Sequence, residues 1–444
     1  MTSEKNEIKL QDVGRPNLYR EMFSYSNFPQ VVFEEEIVKP ALPEKIWITD
    51  TTFRDGQQAR PPYTPEQILR IYDFFHEING ETDLIKQCEF FLYSDRDREA
   101  VELCKERGYE FPEITGWIRA TAGDFKFVTQ AGLAETGILT SASDYHIFLK
   151  LRKTRAQAME SYLDVVKSAL DSGIIPRCHL EDVTRADFHG FVLPFATELM
   201  KLSDEYNMPV KIRLCDTLGF GVDFPGAALP RSVPKLINGL LKIGFDAKQL
   251  EWHGHNDLHK VQSVAASAWL YGCCAVNSSI FGVGERTGNP PLEAMIVEHA
   301  QLKGTDERIN YEAVTELAKY ASTELGFEIP KNYPLVGKDF NVTRAGIHAD
   351  GLLKNEEIYN CFDTYKLLKR QVGVAITDKT GAAGIKHYIE QIYDIDIPKH
   401  DPHITEIKDK IDAVYADNRV SAISDNEMKD WIEEVFGDKL PPLK

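Results

Sequence analysis

Lys45-Ile46-Trp47-Ile48-Thr49-Asp50 decides the fold, because it opens a pattern that then repeats along the chain. This short apolar run is followed by a polar turn and then, near 64–78, by apolar residues at helical spacing. Strand-like runs recur at 83–91, 111–118, 135–143, 174–182, 209–217, 249–256 and 274–282. Helical patterns follow them near 95–107, 124–132, 154–172, 188–206, 229–243, 259–272 and 291–303. The clearest is 154–172, where Ala158, Met159, Tyr162, Val165, Val166, Ala169 and Leu170 form one stripe between an N-capping Thr154 and a terminating Gly173. Eight strand-then-helix units in about 260 residues match a closed (β/α)8 TIM barrel. An open doubly wound sheet competes, but no Gly-rich dinucleotide turn follows the first strand.

Outward from the barrel (44–305), residues 1–43 carry four prolines and little periodicity, and read as an extended arm with one short helix. Beyond Gly304 the alternation stops. Helices are predicted at 311–326, 381–393, 404–417 and from Ser424, whose spacing to Glu427 is that of a capping box. Residues 306–444 are thus expected to form a smaller, mostly helical region.

The 444 residues are 43% hydrophobic and contain no apolar run of the ~18–20 residues that a membrane span needs. A net charge of −18 without a basic block argues against nucleic acid or an anionic membrane as partner. Seven cysteines, with no C-x-x-C, read as reduced buried thiols. The polar start Met1–Lys9 has no apolar core of a secretory signal, so a cytoplasmic location is expected. The triplets at Asn277 and Asn341 therefore carry no weight as glycosylation sites.

In such a barrel, chemistry sits where strands end. His253 and His255 are two apart on strand seven, so both imidazoles face one way, and such a pair suits a divalent ion. Barrel closure puts the ends of strands seven, eight and one in one arc, adding Asp55 and Asn289 as oxygen ligands. Mixed N/O ligation with open positions suits Mn²⁺, Co²⁺, Fe²⁺ or Zn²⁺. Arg54 beside Asp55 is placed to stabilise a developing alkoxide, and the same loop offers Gln58 as a substrate contact. Arg177, His179 and Glu181 alternate on strand five and are predicted to face inward, with Arg177 and His179 as candidates for a distal substrate carboxylate. Glu89 and Thr217 close strands two and six at the same height. His348 lies in a Gly-flanked loop outside the barrel.

Three stretches carry a resemblance: Asp50-Thr51-Thr52-Phe53-Arg54-Asp55-Gly56-Gln57-Gln58, His253-Gly254-His255-Asn256-Asp257 and Gly284-Glu285-Arg286-Thr287-Gly288-Asn289. Together, in this order, they resemble the signatures of the metal-dependent DRE-TIM lyase/synthase superfamily, in its Claisen-condensing branch. Within that branch of isopropylmalate, homocitrate and Re-type citrate synthases, the whole chain is most similar to the Re-face citrate synthases of anaerobic bacteria. The resemblance implies that Asp55, His253, His255 and Asn289 are metal ligands. It implies that Arg54 polarises the 2-oxo group, that Glu181 is the catalytic glutamate of strand five and that Thr217 binds the 2-oxo acid. Ala345-Gly346-Ile347-His348 matches the catalytic-histidine motif that enters a partner subunit, with Tyr359 as an assisting tyrosine. A homodimer with shared active sites follows, as does a divalent cofactor: manganese first, with cobalt, magnesium or zinc as alternatives.

The chain departs from homocitrate synthases at His179, where they carry serine, and at Arg119-Ala120-Thr121, which lacks their histidine. Residues 83–94 also lack their small-residue/proline turn. All three lie at the substrate end, which points to the shorter oxaloacetate. The expected reaction is therefore acetyl-CoA with oxaloacetate and water giving citrate and CoA. The rivals are homocitrate, isopropylmalate or citramalate synthesis, retro-aldol cleavage as in acyl-CoA lyases, and, more distantly, a non-catalytic metabolite-binding barrel.

Overall fold

A computed structural model describes residues 8–22, 34, 37–344, 346–417, 419, 421–437 and 440. The chain divides into two compact units, Met1–Ile309 and Asn310–Lys444.

In the first unit, eight parallel strands close into a barrel in sequence order. They are β1 (Trp47–Asp50), β2 (Ile85–Phe90), β3 (Glu113–Arg119), β4 (Glu135–Ser141), β5 (Ile175–Glu181), β6 (Lys211–Asp216), β7 (Leu250–Gly254) and β8 (Ala275–Ser278). Closure runs through β1 and β8, where Ile48 pairs with Val276 and Thr49 with Asn277. The outer helices are α1 (Pro65–Asn79), α2 (Asp95–Glu106), α3 (Phe125–Gln130), α4 (Arg155–Asp171), α5 (Leu193–Tyr206), α6 (Val233–Lys242), α7 (Val261–Leu270) and α8 (Leu292–Lys303).

Local chemistry explains the helix starts. Thr64, Ser94 and Thr154 each cap a helix through a reciprocal capping box, and Pro65 adds its preset φ to the first turn of α1. Helix α4 buries the stripe read from its sequence against the sheet. Helix α5 starts later than its periodicity predicts. Residues Phe188–Val192 form a wider, π-type turn, held by Asp187 accepting from the Gly190 amide at 2.8 Å. The described arm residues 8–22 form no helix or strand and run along this same unit, with Gln11 N donating to Gly190 O and Asn17 N to Asp144.

The second unit contains α9 (Glu312–Glu324), a two-stranded parallel pair β9 (Val342–Thr343) and β10 (Gly373–Val374), α10 (Gly346–Lys354), α11 (Thr364–Leu368), α12 (Ala382–Tyr393), α13 (Pro402–Ala416) and α14 (Asp425–Phe436). The last three helices pack on a core of Ile385, Ile389, Ile404, Ile407, Ile411, Met428 and Ile432. Ser424 caps α14 through the Glu427 capping box. His348 was expected in a loop, but it sits in the first turn of α10. Ala345 of its motif lies outside the described residues. Among the described residues no helix is long and apolar enough to cross a membrane.

Candidate active site at the carboxyl ends of the strands

Asp55, His253 and His255 converge at the ends of β1 and β7, all three buried, with their donor atoms within 4.8 Å of one another. The two Nε2 atoms of the histidines face each other at 3.1 Å. Burial first, and then the neighbouring His255 and Arg54, hold His253 well below the ordinary imidazole value; burial lowers His255 too. Both rings are therefore neutral, with lone pairs to offer.

Asn277 on β8 settles the tautomer of His253. Its Nδ2 donates to Thr49 O at 3.1 Å, and a carbonyl can only accept, so Oδ1 is the atom turned to His253 Nδ1 at 2.6 Å. Nδ1 therefore carries the proton and Nε2 is free to ligate, the arrangement that metal-bound histidines favour. Asn289 donates through Nδ2 to Asp55 Oδ2 at 2.6 Å, while its buried Oδ1 has no partner. Gly284 leans on this pair so closely that a Cβ there would sit 2.7 Å from Asp55 Oδ2 and against Asn289 Nδ2. Burial would raise the Asp55 carboxyl, but Arg54 and the Asn289 hydrogen bond reverse that and lower it. Two neutral imidazoles, a carboxylate and an orphaned amide oxygen fit one divalent cation.

Arg54 is held by Glu89 (Nε to Oε2, 2.8 Å) and by Asp55 (Nη1 to Oδ1, 3.1 Å). Its Nη2 makes no hydrogen bond among the described residues, which leaves donors for a ligand. Glu89 is fully buried and also meets Arg177 Nη2 at 3.0 Å and Arg213 Nη1 at 2.8 Å. Burial would favour the neutral acid there, but Arg213, Arg54 and Arg177 drive its pKa well below the usual range.

That carboxylate belongs to a ladder filling the barrel. Arg177 bridges to Glu135 at 2.9 Å and Glu251 at 3.4 Å, Lys211 pairs with Glu135 at 2.5 Å, and Arg213 pairs with Glu251 at 2.9 Å. Four cations (Arg54, Arg177, Lys211, Arg213) thus face four carboxylates (Asp55, Glu89, Glu135, Glu251). Arg177, read from the sequence as a substrate ligand, lies inside this ladder with both terminal nitrogens engaged. His179, above it, is buried and kept neutral, by burial first and then by Arg213.

Glu181 ends β5 within reach of two residues that sequence reasoning missed. His146 Nδ1 lies 3.0 Å and Lys150 Nζ 3.2 Å from its carboxylate, and Ser141 donates to it as well. Burial raises the Glu181 pKa, but His146, Ser141 and Lys150 outweigh it and bring it to about 2. The missed signal was positional: Tyr145-His146 lies in the connection that follows β4. Asn277 was equally legible as an inward polar residue on β8. Thr217 accepts the Asp182 amide at 2.8 Å, so its hydroxyl proton is left to donate. Gln58 is exposed just after β1.

In the second unit, the rings of His348 and Tyr359 lie 4.3 Å apart. Gly351 permits this, since a Cβ there would meet the Tyr359 ring at 2.5 Å.

The fold and site define a (β/α)8 barrel with a metal-type donor cluster at the carboxyl ends of its strands. The HMGL-like family model matches residues 45–320, and the chain belongs to this family. It is 51% identical over 435 residues to a Citrate (Re)-synthase of Clostridium kluyveri, covering 97% of this chain and 96% of that protein. It is also 51% identical over 446 residues to a Citrate (Re)-synthase of Syntrophus aciditrophicus, covering 98% of this chain and 71% of that one. Among solved structures, hydroxymethylglutaryl-CoA lyase from Pseudomonas aeruginosa matches with a TM-score of 0.52 at 17% identity, over 65% of this chain and 95% of that one, a likeness of fold.

Proposed function

We propose that this chain is a metal-dependent Re-type citrate synthase, an acyltransferase that condenses acetyl-CoA with oxaloacetate and water to give citrate and CoA. The observation that carries the reading is the 51% identity, over nearly the full chain, to two proteins named Citrate (Re)-synthase. The buried donor cluster beside Arg54 supports it.

Asp55, His253, His255 and Asn289 would hold the divalent ion, with manganese proposed. Bound there, such an ion supplies Lewis acidity that polarises the 2-oxo carbonyl. Arg54 offers its unengaged Nη2 to the alkoxide oxygen that develops as the ketone is attacked. Thr217 donates its hydroxyl to the acid's carboxylate, and His179 and Gln58 line the same mouth. His348, assisted by Tyr359, takes a proton from the acetyl methyl group, and the resulting enolate carbon attacks the ketone. Water then cleaves the thioester. Glu181, held ionised by His146 and Lys150, acts as a fixed charge orienting polar groups. Glu89 and Arg177 support Arg54 from below rather than touching substrate. In this reading two copies pair, with His348 and Tyr359 of one chain serving the barrel of the other, in the cytoplasm, where unpaired thiols persist.

The test is product analysis with labelled acetyl-CoA and oxaloacetate, including the chirality of the citrate. Citrate of Re-face stereochemistry is expected, with kcat/KM highest for oxaloacetate among oxaloacetate, 2-oxoglutarate, 2-oxoisovalerate and pyruvate. Citrate at background level overturns the proposal.

A further inference from the structure

The proposed reaction leaves open what sets the length of the acceptor acid, and the inference here rests on that reaction. On β3, the Thr115 hydroxyl meets Arg177 Nη2 at 3.2 Å inside the barrel. Two residues on, Trp117 faces the same way, one layer nearer the mouth. The Arg54 guanidinium carbon lies 5.9 Å from its ring, a cation–π distance.

The indole is braced from the side. Phe91 meets it edge-on at 5.5 Å and 86°, and Tyr93 at 6.4 Å and 76°. Tyr93 is itself anchored, donating to Asp124 at 2.9 Å and accepting the Arg119 amide at 3.0 Å. The register partner of Trp117 on β4 is Gly137, whose missing side chain leaves its place to the His179 ring, 2.5 Å from where a Cβ would stand. The donor cluster occupies the β7–β8–β1 arc. An acid whose carbonyl oxygen sat between that cluster and Arg54 would extend its tail toward Trp117, which Arg54 touches, and the neighbouring His179.

We propose that Trp117 is a specificity-determining residue: its indole, fixed against Arg54, closes the acceptor pocket to 2-oxo dicarboxylic acids longer than four carbons. A rigid aromatic wall rejects one extra methylene by about 10–200-fold.

The test compares kcat/KM for oxaloacetate and 2-oxoglutarate in the metal-loaded wild type, Trp117→Ala and Trp117→Phe. The expected result is a shift of the ratio toward 2-oxoglutarate by about tenfold or more in Trp117→Ala, with Trp117→Phe close to wild type. An unchanged ratio, or an equal loss for both acids, overturns the inference; equal loss would mean that the indole only props Arg54. A second readout needs no folded alanine variant: malate and 2-hydroxyglutarate are compared as competitive inhibitors of the wild type. Malate should bind at least tenfold tighter, and equal inhibition overturns the inference. Wild type that makes no citrate would instead overturn the proposed reaction, so the two failures are distinct.

Discussion

His253 and Asn277 are locked together: the imidazole Nδ1 lies 2.6 Å from an amide oxygen whose partner nitrogen is pinned to the Thr49 carbonyl. The pair fixes which ring nitrogen is free to ligate. Asn277→Leu is expected to weaken metal affinity by about 10–100-fold, the usual cost of losing such a partner, with kcat near wild type at saturating metal. Asn277→Asp, which keeps the acceptor, should retain tight binding. Metal titration of activity checks both, and equal affinity in Asn277→Leu and wild type refutes the assignment.

Chelation should abolish turnover, and added Mn²⁺ should restore it. Asp55→Asn and His253→Ala should purify with well under one ion per chain, since each removes a donor from a site that must also repay desolvation. Elemental analysis decides, and a wild type holding less than about half an ion per chain after gentle purification would count against a metal enzyme.

Glu181 has a folded-state pKa of about 2, below its unfolded value, so its stabilising contribution is present above about pH 4.5 and lost as pH falls toward 2. His146→Leu removes the largest of the contacts that lower the pKa, so the value should climb toward the usual carboxyl range, whereas Lys150→Met, which removes the smallest, should move it little. In His146→Leu the kcat should acquire an acid limb at higher pH than in wild type. Superimposable pH profiles would show that His146 does not tune this carboxylate.

Glu89→Gln removes the carboxylate shared by three arginines in a dry interior. Breaking a buried ion network on one side costs about 3–5 kcal/mol, because the other charges stay buried and uncompensated. A urea midpoint within error of wild type would contradict this.

Complementation tests the shared site. Asp55→Asn and His348→Ala should each be inactive alone. Mixed under conditions of subunit exchange, they should regain about a quarter of wild-type activity if a C2 dimer shares its sites, since half of the random dimers then carry one intact site. No recovery despite exchange would place His348 with its own barrel.

The barrel was legible because strand and helix periodicities differ and repeat eight times, and the donor cluster because a two-residue spacing on a strand dictates a common face. Height was not legible. Arg177 and Glu181 share a face of β5, yet four residues separate them by about 13 Å along the strand. One lies in the stem while the other ends at the rim, and only the register around the closed sheet says which neighbours stand level. The same limit hid His146 and Lys150, which follow the end of a neighbouring strand. His348 looked like a loop residue because glycines flank it, whereas Gly351 instead serves the packing of Tyr359 onto α10.

The charged ladder has a consequence for assembly. Aliphatic layers tolerate sliding, since one branched side chain replaces another at little cost. A salt-bridged interior does not: slipping a strand by one residue would turn Arg213 or Glu251 outward and leave its counter-ion alone in the dry stem. The eight strands can therefore close without penalty in one alignment only, and that alignment brings Asp55 level with His253 and His255.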